Sequence, residues 1–404
     1  MTDRICRGGR RPPGIPGPTR FWARAPRPYM AIFIALLIIT ASISCDDNPG
    51  PPAALGLVSA TDIGPLELNP KIGGRDGGYS GVFNGRSVWL YGDTILKEAD
   101  AQGHTWLNNS WSWTADLDPA GGMTGFNERL DDADAPTEFF PLTEEEAIYN
   151  ELHYGSEGCA EEPCGARWAM WPGPIVADSA RSRALIFYGK IHAAPGEMNF
   201  YGVGNGLVVW EDFDAAPTRP EVNPGADEPT LLFSKEEPTF GSAAIVVADM
   251  LYAYACDLKD YAKPCKVGRV PLADALDRSA WRFWDGAAWQ EKIGRAQALF
   301  DGNDIMTVAW CPFAGVYIAI YSQPMDAKTM LRTAPAPEGP WSRAVKLFDA
   351  QKPDGGDWVY DALAHPEYAQ NDGLTQYVTY SRSTGFFRSE HRVVKVELAD
   401  VRSE

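Results

Sequence analysis

The chain has 404 residues and 54 Asp plus Glu against 36 Lys plus Arg, a formal net charge of −18. An apolar fraction of 45% with 22% charged residues suits a packed globular domain and excludes a disordered polar chain. So acidic a protein, without a basic cluster after residue 44, excludes nucleic acid and polyanionic ligands as partners and leaves neutral ligands open.

Residues 1–44 read as an export signal. Arg4, Arg7, Arg10, Arg11, Arg20, Arg24 and Arg27 form a basic region, followed by the apolar run Ala31 to Ile39 and the small residues before Cys45. The apolar run is short for a transmembrane helix, although an uncleaved anchor is the competing reading. The residues before Cys45 resemble a bacterial lipobox, which implies cleavage there and lipidation of Cys45. The leader carries +6, so its removal takes the charge from −18 to −24. Residues 45–60, with Pro49, Pro51 and Pro52, are expected to be a tether, and 61–404 the folded domain. The product would be an exported lipoprotein facing the periplasm or cell surface.

The stretch Gly73 to Thr94 opens that domain. Two β-rich runs flank Asn84-Gly85, the strongest short signal for a type I′ hairpin. In that register residue numbers of facing pairs sum to 169, so Asp76 faces Asp93 with Cβ atoms roughly 4.5–5.5 Å apart. Like charges so placed destabilise a sheet, which points to chemistry rather than stability. A turn role for Asp76 and a strand-end role for Asp93 are the structural alternatives, and a bulge would break the register.

Five strand-like runs ending in Tyr plus a small residue follow one another: Ser87–Gly92, Ala184–Gly189, Met250–Ala255, Val316–Ser322 and Gln376–Ser381. Their tyrosines lie 97, 66, 67 and 59 residues apart, and a short run rich in small residues precedes each. Repeated hairpins at this period predict an all-β, five-bladed β-propeller, with the small-residue runs innermost, where blades crowd the axis. A β-sandwich is the alternative. In a propeller, Asp76 and Asp93 would both lie at the mouth of the axial channel.

Cysteines pair by proximity: Cys159 with Cys164, and Cys256 with Cys265 across an apparent hairpin, as expected in an oxidising compartment. Zinc is the competing reading, but the spacing lacks C-x-x-C and no His is close. Cys311 is left as a buried thiol. No metal site and no cofactor loop is recognised; Gly202 to Gly206 lacks the Lys and helix of a phosphate loop.

Asp76-Gly77-Gly78-Tyr79-Ser80, Tyr91-Gly92-Asp93-Thr94, Asn109-Ser110, Phe240 to Ala244, Ala336 to Ser342 and Ala364 to Glu367 together resemble a bacterial family. It is the endo-D-arabinanase (endo-D-arabinofuranase) glycoside hydrolases, formerly a domain family of unknown function. The resemblance runs from about residue 62 to 398 and implies a five-bladed propeller that cuts D-arabinofuranose polymers. It carries over Asp76 and Asp93 as the acidic pair of the active site, and Asn109 and Ser242 as partners of sugar hydroxyls. The segment Pro136–Arg167 departs from the family pattern.

Paired carboxyls match glycoside hydrolysis, in which one acid protonates the leaving oxygen and one carboxylate serves the anomeric carbon. Asp361 and Glu367 are further acids to consider, and Glu338 reads better as a turn residue. Trp168 and Trp171 could stack on sugar rings, and His365 could line the channel or sit satisfied in the core. A non-catalytic propeller that binds glycan or a partner protein remains the second reading.

Overall fold

The computed structural model describes residues 50–402, apart from 156–157, 197–198, 354–357 and 386–387. The leader and Cys45 lie outside the described residues.

Alternating apolar residues in short strands give each hairpin two faces to bury, and the chain meets this by stacking sheets around an axis. The fold is a five-bladed β-propeller, with five sheets among the described residues. Strand β1 (Leu55–Pro65) belongs to the last blade. It begins six residues before the boundary expected at 61. Blade 1 holds β2 (Ile72–Phe83), β3 (Arg86–Leu96), β4 (Trp106–Leu107) and β5 (Ser110–Thr114). Blade 2 holds β6 (Arg167–Asp178), β7 (Arg183–Ala193), β8 (Phe200–Trp210) and β9 (Leu231–Ser234). Blade 3 runs from β10 (Ala243–Val247) through β11 (Met250–Cys256), β12 (Pro264–Pro271), β13 (Arg282–Trp284) and β14 (Trp289–Gln290), with β15 (Phe300–Asp301) on β12. Blade 4 comprises β16 (Met306–Cys311), β17 (Val316–Ser322), β18 (Lys328–Ala334) and β19 (Val345–Asp349). Blade 5 comprises β20 (Val359–Ala364), β21 (Thr375–Gly385) and β22 (Arg388–Asp400), and β1 completes it from outside, antiparallel to β22.

The innermost strands β2, β6, β10, β16 and β20 touch in a closed ring. Their small residues permit it: a Cβ on Gly81 would lie 2.5 Å from the Ile175 side chain of the next blade. The second strands are apolar on both faces because each is sandwiched between neighbours, and β17 is buried along its whole length. Four seams between blades are apolar, built around Phe83 and Trp210, Phe187 and Phe240, Tyr254 and Trp341, and Ile318 and Val378.

The fifth seam, between blades 5 and 1, differs. Its apolar cluster is small, around Trp89, Tyr91 and Tyr377. Polar contacts cross the seam beside it: Ser80 Oγ to His365 Nδ1 at 2.6 Å, Ser87 Oγ to Glu367 at 2.7 Å, and His391 Nε2 to the Gly77 carbonyl at 2.9 Å. Buried Arg75 lies here too, stacked 3.5 Å over the Tyr91 ring and paired with Glu128 at 2.8 Å.

Helix α1 (Glu144–Tyr154) lies in the segment between blades 1 and 2. Thr143 and Glu146 close a capping box at its start. Glu146 meets Arg219 and Lys190, the latter at 2.8 Å, which pins the helix to blade 2. Both expected disulfides form, Cys159–Cys164 and Cys256–Cys265, and Cys311 is a buried free thiol.

Candidate active site

The hairpin turn is type I′, with φ of 49° at Asn84 and 71° at Gly85, and the expected register holds from Phe83–Arg86 out to Tyr79–Leu90. It then breaks twice. Gly78 is an extra residue on β2, so Gly77 faces Tyr91; Gly92 and Asp93 together span the place opposite Asp76 before Arg75 meets Thr94. The direct pairing of Asp76 with Asp93 expected from the turn is therefore absent. Gly77 and Gly78 make this possible by adopting φ of 78° and 109°, a backbone region that side chains disfavour. The two shifts cancel, and both carboxylates remain at the mouth of the channel, within electrostatic reach of each other.

A third carboxylate comes from blade 5. Strand β20 bulges between Tyr360 and Leu363, and Asp361 takes a left-handed φ of 54°. Its Oδ2 accepts the Gly77 N–H at 3.1 Å, and the Tyr360 hydroxyl donates to Asp76 Oδ1. Bulges of this kind re-aim side chains beside functional sites.

The electrostatics follow from enclosure. Protein surrounds Asp76, although water still reaches it. Loss of solvation is the main reason its pKa rises from 3.8 to about 6; the Tyr360 hydrogen bond opposes that rise and Asp93 adds to it. Asp93 is also raised by desolvation, against the indoles of Trp106 and Trp171 and the charge of Arg167. Trp171 Nε1 donates to Asp93 Oδ1 at 3.3 Å. Asp361 is pushed well up by burial and then by the charge of Asp76. A cluster that holds protons near neutral pH beside carboxylate-stabilising donors can both give and accept a proton.

Tyr79 closes the floor. Its hydroxyl reaches from blade 1 across the axis to the Ser242 carbonyl at 2.9 Å and the Asp304 carbonyl at 3.4 Å. Beside it lies a cavity of about 420 Å³ lined by residues of β2, β6, β10 and β16 and by Ala364 at the end of β20. Lys263, from the loop after β11, pairs with Asp304 at the rim.

Three expected ligand contacts do not fit. Asn109 is buried, donates its amide to the Met170 carbonyl of β6 at 3.1 Å and accepts the Phe139 N–H at 2.7 Å, so it ties the segment after blade 1 to blade 2 and is shut off from a ligand. Ser242 is buried and its Oγ accepts the Cys256 N–H at 3.1 Å. His365 is fully buried, stacked 4.0 Å from Trp89 and bonded at both nitrogens, to Ser80 and, at 2.8 Å, to Thr379. Burial lowers its pKa to about 3. Its place is the seam, not the channel wall. Glu367 lies low beside the cavity, away from the acids. Trp168 packs against Lys190. Trp171 does reach the site. Sequence reasoning passed over Tyr360, although it opens the fifth small-residue run, and Asp76 stands immediately before the first.

With this geometry in view, comparison with known proteins is informative about the fold. The model of the domain of unknown function DUF4185 matches residues 208–392, under half of the chain and beyond Asp76 and Asp93. No curated protein matches. Among solved structures, a candidate hydrolase from Bacteroides ovatus is similar at TM-score 0.54 and 14% identity, over 82% of this chain and 86% of that one. A GH43_1 enzyme from Xanthomonas citri is similar at 0.46 and 12%, over 82% and 90%. An α-L-arabinofuranosidase from Podospora anserina is similar at 0.40 and 10%, over 86% and 97%. At 14% identity the likeness to the Bacteroides ovatus structure speaks for the fold alone.

Proposed function

We propose that this protein is an exported, lipid-anchored glycoside hydrolase that cleaves arabinofuranosyl linkages, with D-arabinan as the substrate most in keeping with its motifs. The observation that carries the reading is the cluster of Asp76, Asp93 and Asp361 at the channel mouth, with Asp76 titrating at about 6. Support also comes from the first-blade motifs and from the fold likeness to a Bacteroides ovatus protein named as a candidate hydrolase.

In this reading Asp76 is the general acid. Its proton passes to the glycosidic oxygen as the bond to the anomeric carbon breaks, and the bonding electron pair leaves with that oxygen. Asp93 serves the anomeric carbon as the carboxylate, attacking it directly or taking the proton of the attacking water. Indole donors from Trp171 and Trp106, with Arg167, favour the charged form that this role needs. Burial, with the charge of Asp93 added, keeps the proton on Asp76, and Asp361 fixes the backbone beside it by accepting the Gly77 N–H. No cofactor enters the scheme.

Export and anchoring rest on the basic leader, the residues before Cys45, and two disulfides that suit an oxidising compartment. Cys45→Ser should release the protein from membranes, read by fractionation.

The deciding experiment measures oligosaccharide release from arabinogalactan, L-arabinan, fructan and xylan by the native chain and by Asp93→Asn. Release from arabinogalactan alone, lost in the variant, is the expected result. Release from another polymer keeps the reaction and changes the substrate. Absence of release from all four overturns the enzyme reading in favour of a binding propeller.

A further inference from the structure

The upper edge of blade 2 carries an exposed aromatic ring, Phe200, that the acid chemistry does not use. Along one face of that sheet, Trp171 on β6 lies opposite Gly189 on β7, Ile191 lies opposite Gly202 on β8, and Ala193 lies opposite Phe200. Side chains that face each other across strands share a face, so Trp171 and Phe200 lie over one in which the small Gly189 and Gly202 flank buried Ile191. A Cβ added at Gly202 would meet only Ile191 Cδ1, at 3.9 Å, and one at Gly189 would meet nothing closer than 3.7 Å. Trp171 and Phe200 touch edge to face at 5.0 Å between ring centroids. Phe200 nevertheless leaves 41% of its surface in water. The same Trp171 donates to Asp93. A continuous path therefore runs from an acid of the cluster, through a half-buried indole, to an exposed ring.

We propose that Phe200, backed by Trp171, is the stacking platform for a sugar unit of the substrate chain neighbouring the one held at the acids. The ring of a neutral sugar presents apolar C–H groups on one face and hydroxyls at its edge. An exposed aromatic ring beside the small Gly202 matches that face, and an acidic protein does not repel a neutral chain. Phe200 is thus a specificity-determining residue that acts on chains and not on single units. This inference rests on the glycoside hydrolase reading for the nature of its ligand.

The test separates the two. Migration of the native chain, Phe200→Ala and Phe200→Trp is followed through gels containing arabinogalactan, L-arabinan, fructan or xylan, with thermal melts as the check on folding. The native chain is expected to be retarded by one of them, Phe200→Ala to bind about tenfold more weakly, and Phe200→Trp to bind normally. In turnover, Phe200→Ala should raise KM for the polymer by more than it changes kcat, a split that a merely structural role would not produce. Equal retardation of Phe200→Ala and the native chain overturns the platform and leaves the hydrolase reading intact. Retardation that depends on Phe200 without any product release upholds the platform and overturns the hydrolase. Failure of all four polymers to retard the native chain overturns the platform, and product release from the same polymers decides the hydrolase reading separately.

Discussion

Asp76 gains a proton on folding at pH values where the unfolded chain has lost it. Its pKa is about 6 in the fold and 3.8 without it. The folded state therefore binds the extra proton between those values, and stability falls as pH rises through them. Asp76→Asn removes that loss, and above pH 6 it should unfold on the order of 1–3 kcal/mol later in urea than the native chain, while turnover disappears. Unfolding of the variant at lower urea would mean that the carboxylate is structural. The same pKa sets the alkaline limb of kcat/KM near pH 6, because the acid must be protonated. The Tyr360 hydroxyl holds that value down, so Tyr360→Phe should move the limb upward. The buried histidines have the opposite sign. Burial lowers His365 and His391 from 6.5 to about 3, so each contributes stability that is complete above pH 6.5 and lost as pH falls toward 3. His365→Gln should flatten the acid limb of a urea-stability profile by about one proton, or roughly 1.4 kcal/mol per pH unit.

Hairpins are the elements that could be read without a structure, and the reason is physical. Second strands lie between blades, so they are apolar on both sides and end at a fixed place, which leaves a visible repeat at Tyr91, Tyr188, Tyr254, Tyr321 and Tyr380. What sequence could not supply was the pair of bulges on β2 and β3. Each shifts the register by one and the two cancel, so a turn-based count brings Asp76 and Asp93 to the right end of the hairpin with the wrong pairing. Helix α1 did have a signal, Thr143-x-x-Glu146, hidden in a segment that matched nothing else. Asn109, Ser242 and His365 were misplaced because polar residues beside a motif serve backbone amides and seams as readily as ligands. The loop between β11 and β12 offers an element-scale test. Cys256 and Cys265 face each other across the two strands and clamp it. Replacing both with Ala should cost about 2.5–3 kcal/mol in urea unfolding, the chain-entropy value for closing a loop of roughly ten residues. Retained stability would show that β11 and β12 hold the loop unaided.

At the scale of the whole ring, five blades need five seams, and the one between blades 5 and 1 is joined by polar groups around a small apolar cluster. Apolar contact tolerates small displacements, whereas a hydrogen bond is lost once its partners part by an ångström or so. Water entering there finds groups ready to accept it. Amide exchange should accordingly be fastest along the facing edges of β2 and β20 and slowest in β7 and β11, as measured by mass spectrometry under native conditions. The same seam carries the bond from Gly77 to Asp361 and that from Tyr360 to Asp76. The acids are therefore a clasp as well as a candidate site. Anything that fills the mouth and bridges blades 1 and 5 also locks the ring, so a bound glycan would act as the pin of a hinge and raise the melting temperature of the entire propeller.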